Sequence, residues 1–158
     1  MNITVIGVGK IKEKYFTAAI SEYQKRLSRF TGFNIIEIPD EKIPDNASEK
    51  EMEIIKEREG EKIIAKLPNG AYIIALCIEG EQLDSVELAN KIAKIQMQSS
   101  NIVFIIGGSL GLSDKVKKSA ALKLSFGKMT LPHQLMRVVL SEQIYRAFKI
   151  NNNESYHK

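Results

Sequence analysis

Two stretches of this sequence combine residues able to hold a ligand at the end of a strand. Gly107-Gly108-Ser109-Leu110-Gly111 follows directly on the apolar run Ile102–Ile106. Glycines there let a ligand approach the main chain, and exposed N–H groups grip its polar atoms. An ordinary strand-to-turn connection uses the same residues. No Gly-Lys-Ser/Thr follows, so this is not a P-loop. The second stretch runs Ser125-Phe126-Gly127-Lys128-Met129-Thr130-Leu131-Pro132-His133-Gln134. Its main chain can wrap a ligand while Met129 and Leu131 give apolar cover. Pro132-His133 then opens a helix whose free N–H groups favour negative charge. A capped helix entry with a merely exposed His133 reads the same way.

Further candidates lie near the end of the chain. The helix Leu135–Ile150 is apolar almost all round in its first half, through Leu135, Met136, Val138, Val139 and Leu140. Such a helix is buried on two sides, by a second subunit or as the central helix of a monomer. Its polar members Arg137, Glu142, Gln143 and Arg146 then stand near or inside an interface. The tail ends Ser155-Tyr156-His157-Lys158, either a mobile terminus or a segment whose imidazole suits proton transfer near neutral pH. Gly7-Val8-Gly9 occupies the place of a dinucleotide-binding turn, but Lys12 replaces the third glycine that fingerprint needs. No H-E-x-x-H, paired Cys/His set or G-x-S-x-G occurs, so metal and serine-hydrolase chemistry have no footing.

The elements that must position these residues alternate in type. Apolar, β-branched runs at Asn2–Val8, Phe33–Ile38, Ala71–Ile78, Ile102–Ile106 and Ala121–Phe126 read as buried strands. Helical spacing spans Tyr15–Phe30. Ser48 with Glu51 forms a capping-box signature opening a charged, solvent-facing helix to about Lys66. Ser85 or Asp84 caps Val86–Gln98, Asp114–Ser119 is a short basic helix, and His133–Ile150 closes the chain. Pro39–Ala47 is a loop and Pro68-Asn69-Gly70 a turn. This alternation predicts an α/β fold, a mainly parallel sheet with helices on both faces, in a single domain over residues 1–158.

Composition limits what such a domain does. The 158 residues are 44% hydrophobic and 27% charged, near the globular average. The lone Cys77 excludes an internal disulfide, and no apolar run reaches a membrane span. The opening MNITVIGVGKIKEK lacks the marks of a signal peptide, which points to a soluble, cytoplasmic protein. The net charge of +4 is unevenly spread: residues 1–113 carry −2 and residues 114–158 carry +6. The last third is where a polyanion would be drawn, unless it is only a solvated basic face.

Several of these segments together resemble one family. Val5-Ile6-Gly7-Val8-Gly9-Lys10, Ile38-Pro39-Asp40, Phe104-Ile105-Ile106-Gly107-Gly108-Ser109, Met129-Thr130-Leu131-Pro132-His133-Gln134 and Glu142-Gln143-Ile144-Tyr145-Arg146-Ala147 are similar to those of the ribosomal RNA large subunit methyltransferase H family, among the SPOUT methyltransferases. The resemblance spans essentially the whole chain. Only the tail departs: Asn152-Asn153-Glu154-Ser155-Tyr156-His157 keeps the Tyr-His of the family ending but lacks its Arg-Gly.

The resemblance implies a carboxyl-terminal trefoil knot over about residues 71–150, a homodimer, and S-adenosylmethionine as cofactor. It places the cofactor on Leu76, Gly107, Gly108, Phe126, Gly127, Lys128, Met129, Thr130 and Leu131, with no metal and no membrane. The implied substrate is N3 of pseudouridine 1915, in the helix 69 loop of 23S ribosomal RNA on the assembled 70S ribosome. N3 is a poor nucleophile while protonated, so a base or a cation is required. His157 and Tyr156 of one subunit are expected over the cofactor of the other, with His157 as base, and Arg137 and Arg146 on phosphate or base. The alternative is a non-catalytic ribosome-associated protein that binds RNA through the basic third.

Overall fold

A computed structural model describes residues 1–158. Its strands are β1 (Asn2–Val8), β2 (Gly32–Ile38), β3 (Tyr72–Gln82), β4 (Asn101–Ile106) and β5 (Leu122–Ser125). Its helices are α1 (Lys14–Leu27), α2 (Glu49–Ile64), α3 (Ser85–Gln96), α4 (Asp114–Ser119) and α5 (His133–Asn151). The strands form one sheet in the order β2-β1-β4-β3-β5, and every pair is parallel. The expected α/β architecture is therefore present.

Strand periodicity explains the two layers. In β4, Ile102, Phe104 and Ile106 face a cluster with Leu88, Ala89 and Ile92 of α3 and Leu140, Ile144 and Phe148 of α5. Val103 and Ile105 face the opposite cluster, with Ile63 of α2 and Val116 of α4. Neither face sees water, so a continuous apolar run is what this strand requires. Burying each such side chain stabilises the fold by roughly 1.5–3 kcal/mol.

Local chemistry sets the helix starts. Ser48 Oγ accepts from the Glu51 N–H at 3.1 Å, as the capping signature predicts. For α3 the cap is Asp84, which accepts from Glu87 N at 2.7 Å while the Glu87 carboxylate accepts from Asp84 N at 2.7 Å. Each end satisfies the other's free donor.

Three elements differ from expectation. Helix α1 stops at Leu27 rather than Phe30, because the N–H groups of Phe30 and Thr31 turn back to Leu27 O at 2.8 and 3.0 Å. That turn stacks the Phe30 ring on Phe148, centroids 5.8 Å apart. Strand β3 continues past Ile78 to Gln82. It leaves β4 after Ala75, bulges beyond Leu76, and re-pairs with β5 at Glu81↔Leu124 and Gln82↔Ser125. Gly80 is needed there, since a Cβ would lie 2.7 Å from the Lys123 carbonyl carbon. Finally, α2 is not simply solvent-facing. Ile55, Glu59 and Ile63 form a buried stripe, and Gly60 leaves room for Ser113 Oγ, which a Cβ would meet at 2.4 Å. No helix is long and apolar enough to cross a membrane.

Candidate functional site

Parallel strands end together, so the loops that leave β3, β4 and β5 share one edge of the sheet. Between those loops and the first turn of α5 lies a cavity of about 580 Å³. Cavities of this size, mostly apolar with a few convergent polar groups, suit a small organic ligand.

Each wall has a local cause. The glycine loop after β4 folds back on itself, with Gly111 N donating to Gly108 O at 3.0 Å. Gly111 sits at φ +81°, a conformation that favours glycine. A Cβ on Gly107 would stand 2.8 Å from the Gly111 carbonyl carbon, so only glycine lets this wall close. Beyond β5, Gly127 has φ +121°, and Ser125 Oγ accepts from its N–H at 3.1 Å. That bond turns the chain so that Phe126, Gly127, Met129, Thr130 and Leu131 line the cavity. Met129 is 86% exposed, and Phe126 and Leu131 are 40% exposed, an unusual amount of bare apolar surface around one opening. The β3 bulge supplies the third wall through Leu76, Cys77, Ile78 and Glu79. Burial, with Glu79 nearby, pushes the Cys77 thiol up and away from thiolate character. On the rim Lys117 meets Glu79 at 2.6 Å, an ion pair that keeps the lysine charged.

The structure thus brings Leu76, Gly107, Gly108, Phe126, Gly127, Met129, Thr130 and Leu131 around one space. Lys128, grouped with them from the sequence, does not line it; the residue is exposed.

Arg137 corrects an expectation. Anticipated on RNA or at an interface, it is 0% exposed and bonded within the chain through both terminal nitrogens, while its buried Nε has no partner. Its Nη2 donates to Val8 O at 3.0 Å and Gly9 O at 2.6 Å, and Nη1 meets Glu37 Oε2 at 3.1 Å. Glu37 also accepts from Ile11 N at 2.8 Å, so one carboxylate and one guanidinium hold the ends of β1 and β2 to α5. A Cβ on Gly7 would lie 2.4 Å from Arg137 Nε, which makes glycine obligatory under the side chain.

Tyr156 and His157 do not meet this cavity in their own chain. Tyr156 Oη donates to Glu142 Oε1 at 3.3 Å, and Arg146 Nη1 donates to His157 Nδ1 at 3.2 Å. Arg137 and Arg146 are nine residues apart on one helix, about 13 Å along its axis. The tail therefore docks toward the far end of α5. Burial, and then the Glu142 charge, raise the Tyr156 phenol above its ordinary range, which keeps it protonated.

Two further residues belong to the site's surroundings. His133 lines the cavity, half-buried, with Nδ1 3.0 Å from Arg137 Nη2. Burial, reinforced by the Arg137 charge, pushes its imidazole below the usual range. The signal was legible: His133 and Arg137 are one helical turn apart and share a face. Glu59 lies behind the glycine loop; one carboxylate oxygen accepts from Glu41 N at 3.0 Å and the other has no partner. A Cβ on Gly108 would come within 3.7 Å of that free oxygen. Nothing in the charged sequence of α2 marks Glu59 as buried. No group of His, Cys, Asp and Glu is arranged to hold a metal.

The family model described as "Predicted SPOUT methyltransferase" matches residues 1–157. Proteins named ribosomal RNA large subunit methyltransferase H from Clostridium novyi (strain NT) and Clostridioides difficile (strain 630) are 58% and 55% identical over 159 aligned residues, covering 100% of each chain. Among solved structures, a tRNA (m1G37) methyltransferase from Aquifex aeolicus matches with a TM-score of 0.53 at 15% identity, over 92% of this chain and 70% of that one. A methylase family protein from Haemophilus influenzae Rd KW20 gives 0.55 at 14% identity, over 99% and 70%. Those two likenesses concern the fold.

Proposed function

Because the chain belongs to the ribosomal RNA large subunit methyltransferase H family of SPOUT methyltransferases, we propose that it methylates N3 of pseudouridine 1915 in helix 69 of 23S ribosomal RNA, with S-adenosylmethionine as cofactor, on the assembled 70S ribosome. The observation that carries this reading is the largely apolar cavity at the ends of β3, β4 and β5, one wall of which closes only because Gly107 has no Cβ to press on the Gly111 carbonyl. It adjoins the part of the chain that carries +6. The protein acts in this reading as a soluble cytoplasmic enzyme without a metal.

The residues fit the cofactor. Leu76, Gly107, Gly108, Phe126, Gly127, Met129, Thr130 and Leu131 would hold it, the glycine loops by main-chain groups and Met129 and Leu131 by apolar cover. When bound, S-adenosylmethionine supplies a methyl group on a sulfonium, an electrophile strong enough that alignment is the protein's main task. Lys128 stands outside, exposed on the basic third, where a phosphate of the RNA would meet it.

The reading also takes residues 1–158 as one domain, with residues about 71–150 threaded as a trefoil knot, and the active unit as a homodimer. Docking of Tyr156 and His157 on Glu142 and Arg146 favours a shared site, because the tail leaves its own cavity uncovered. In the partner's site His157 takes the N3 proton once it has left Arg146, and Tyr156 orders the tail. Arg137 is not a substrate contact; it holds β1, β2 and α5 in register behind the cavity.

Calorimetric titration with S-adenosylmethionine and mass spectrometry of helix 69 from treated 70S ribosomes test the reading. Saturable heat and one added methyl group on the pseudouridine are expected. No heat would favour an RNA-binding protein without turnover, and a methyl group elsewhere would overturn the assigned substrate.

A further inference from the structure

The Arg137–His133 contact fixes more than packing. A guanidinium has donors only and stays charged in proteins, so in the 3.0 Å contact with Nη2, whose two hydrogens are shared among Val8 O, Gly9 O and this nitrogen, His133 Nδ1 can take part only as an acceptor. The imidazole is then neutral with its proton on Nε2. A second cation beside Arg137 would be repelled, and the lowered affinity of His133 for protons agrees. Nε2 meets no protein acceptor and is not sealed from solvent. The ring rests on Gly9, where a Cβ would strike Cε1 at 2.9 Å, so it cannot swing toward β1. His133 is thus a pre-oriented N–H donor in the cavity wall without its own charge.

We propose that His133 donates this Nε2–H to a carbonyl oxygen of the base that accepts the methyl group, with Arg137 as the positioning residue that sets its tautomer. The inference rests on the methyl-transfer reading above. With the cofactor on the β3, β4 and β5 loops, His133 closes the cavity from the β1 side, where the acceptor base would enter. As N3 loses its proton, negative charge spreads to the flanking carbonyl oxygens. A fixed donor there lowers the barrier, and an uncharged one does so without opposing a cationic methyl donor.

Two variants separate this role from a structural one. In His133→Asn the amide occupies the place of Nδ1, keeping an acceptor for Arg137 but losing the cavity donor. In His133→Gln the amide reaches the place of Nε2 and keeps that donor. Single-turnover methylation of 70S ribosomes should fall about a hundredfold in His133→Asn and stay within about tenfold in His133→Gln. S-adenosylmethionine affinity by calorimetry should be unchanged in both. The reverse ranking, or a parallel loss of cofactor affinity, would overturn the proposal. Two-bond ¹H–¹⁵N spectra of the unaltered protein should show His133 protonated on Nε2, and an Nδ1–H signal refutes it whatever the reaction proves to be. A wild-type protein that shows the Nε2–H signal but neither binds the cofactor nor methylates ribosomes would instead defeat the reading on which the proposal rests.

Discussion

Arg146 Nη1 donates to His157 Nδ1 at 3.2 Å while its guanidinium carbon stands 4.7 Å from the centre of the Tyr156 ring. The same arginine meets Glu142 Oε1 at 2.6 Å, so one side chain gathers both tail aromatics and a carboxylate. Because arginine only donates, His157 Nδ1 can take part in this contact only as an acceptor, so that lone pair is engaged while the tail is docked. In the methyl-transfer reading proposed above, Nδ1 of His157 would accept a proton only after the tail undocks.

Arg146→Ala should release the tail. Losing the cation–π contact and the partly exposed ion pair removes about 1 kcal/mol of docking. Amide exchange at residues 154–157 should speed several-fold with little change in Tm. Unchanged exchange would mean that Tyr156 packing on Tyr145, with ring centroids 5.0 Å apart, holds the tail alone.

Gly107→Ala tests the glycine wall. Its Cβ would press on the Gly111 carbonyl at 2.8 Å, and the loop must open to admit it. We expect a stability cost of about 1–3 kcal/mol and loss of the calorimetric signal for S-adenosylmethionine. A variant that binds normally would show that the loop is only a connection.

Gly7→Ala should be worse. Here the new methyl would sit 2.4 Å from Nε of a fully buried Arg137, whose displacement breaks the pair with Glu37. Urea unfolding should show a loss of about 3 kcal/mol, because a fully buried guanidinium loses its carbonyl acceptors together with a carboxylate partner that is itself partly exposed. A loss below that of Gly107→Ala would contradict the assignment of Arg137 as the fastener of this junction.

Glu59 gives a pH signature. Burial raises its folded pKa above the ordinary 4.5, outweighing the Glu41 N–H bond that lowers it. The contribution to stability is fully present below pH 4.5 and fades as pH rises through the folded value. His133 has the opposite sense: its folded pKa is lowered, so stability is full above about pH 6.5 and declines as pH falls below it. Glu59→Gln should abolish the first dependence and raise Tm at pH 7, since no buried charge remains. Thermal melts at several pH values decide this, and a lower Tm for the variant at pH 7 would refute it.

Much of this arrangement was legible. Strands read correctly wherever Val and Ile ran unbroken, because a parallel sheet covered on both faces requires that pattern. Glycines at strand ends single out the loops at Gly107 and Phe126, and the fold sets both around one cavity. Long-range pairings escaped the sequence. Arg137 looked like an interface residue because its partners, Val8, Gly9 and Glu37, lie at least 100 positions away. Glu59 sits among charges that are mostly exposed, and it meets the Glu41 main chain and the glycine loop only through the tertiary fold. The extension of β3 past Ile78 depends on β5, which local spacing does not encode.

The place of β1 between β2 and β4 bears on how the chain is made. Asn2 pairs with Gly32 on one side but with Asn101 on the other. During synthesis β1 and β2 emerge early as a parallel pair with one edge open, and some seventy residues must follow before that edge is filled. Co-translational folding cannot then proceed steadily from the amino terminus. The first strand waits, exposed to mispairing, until the fourth arrives.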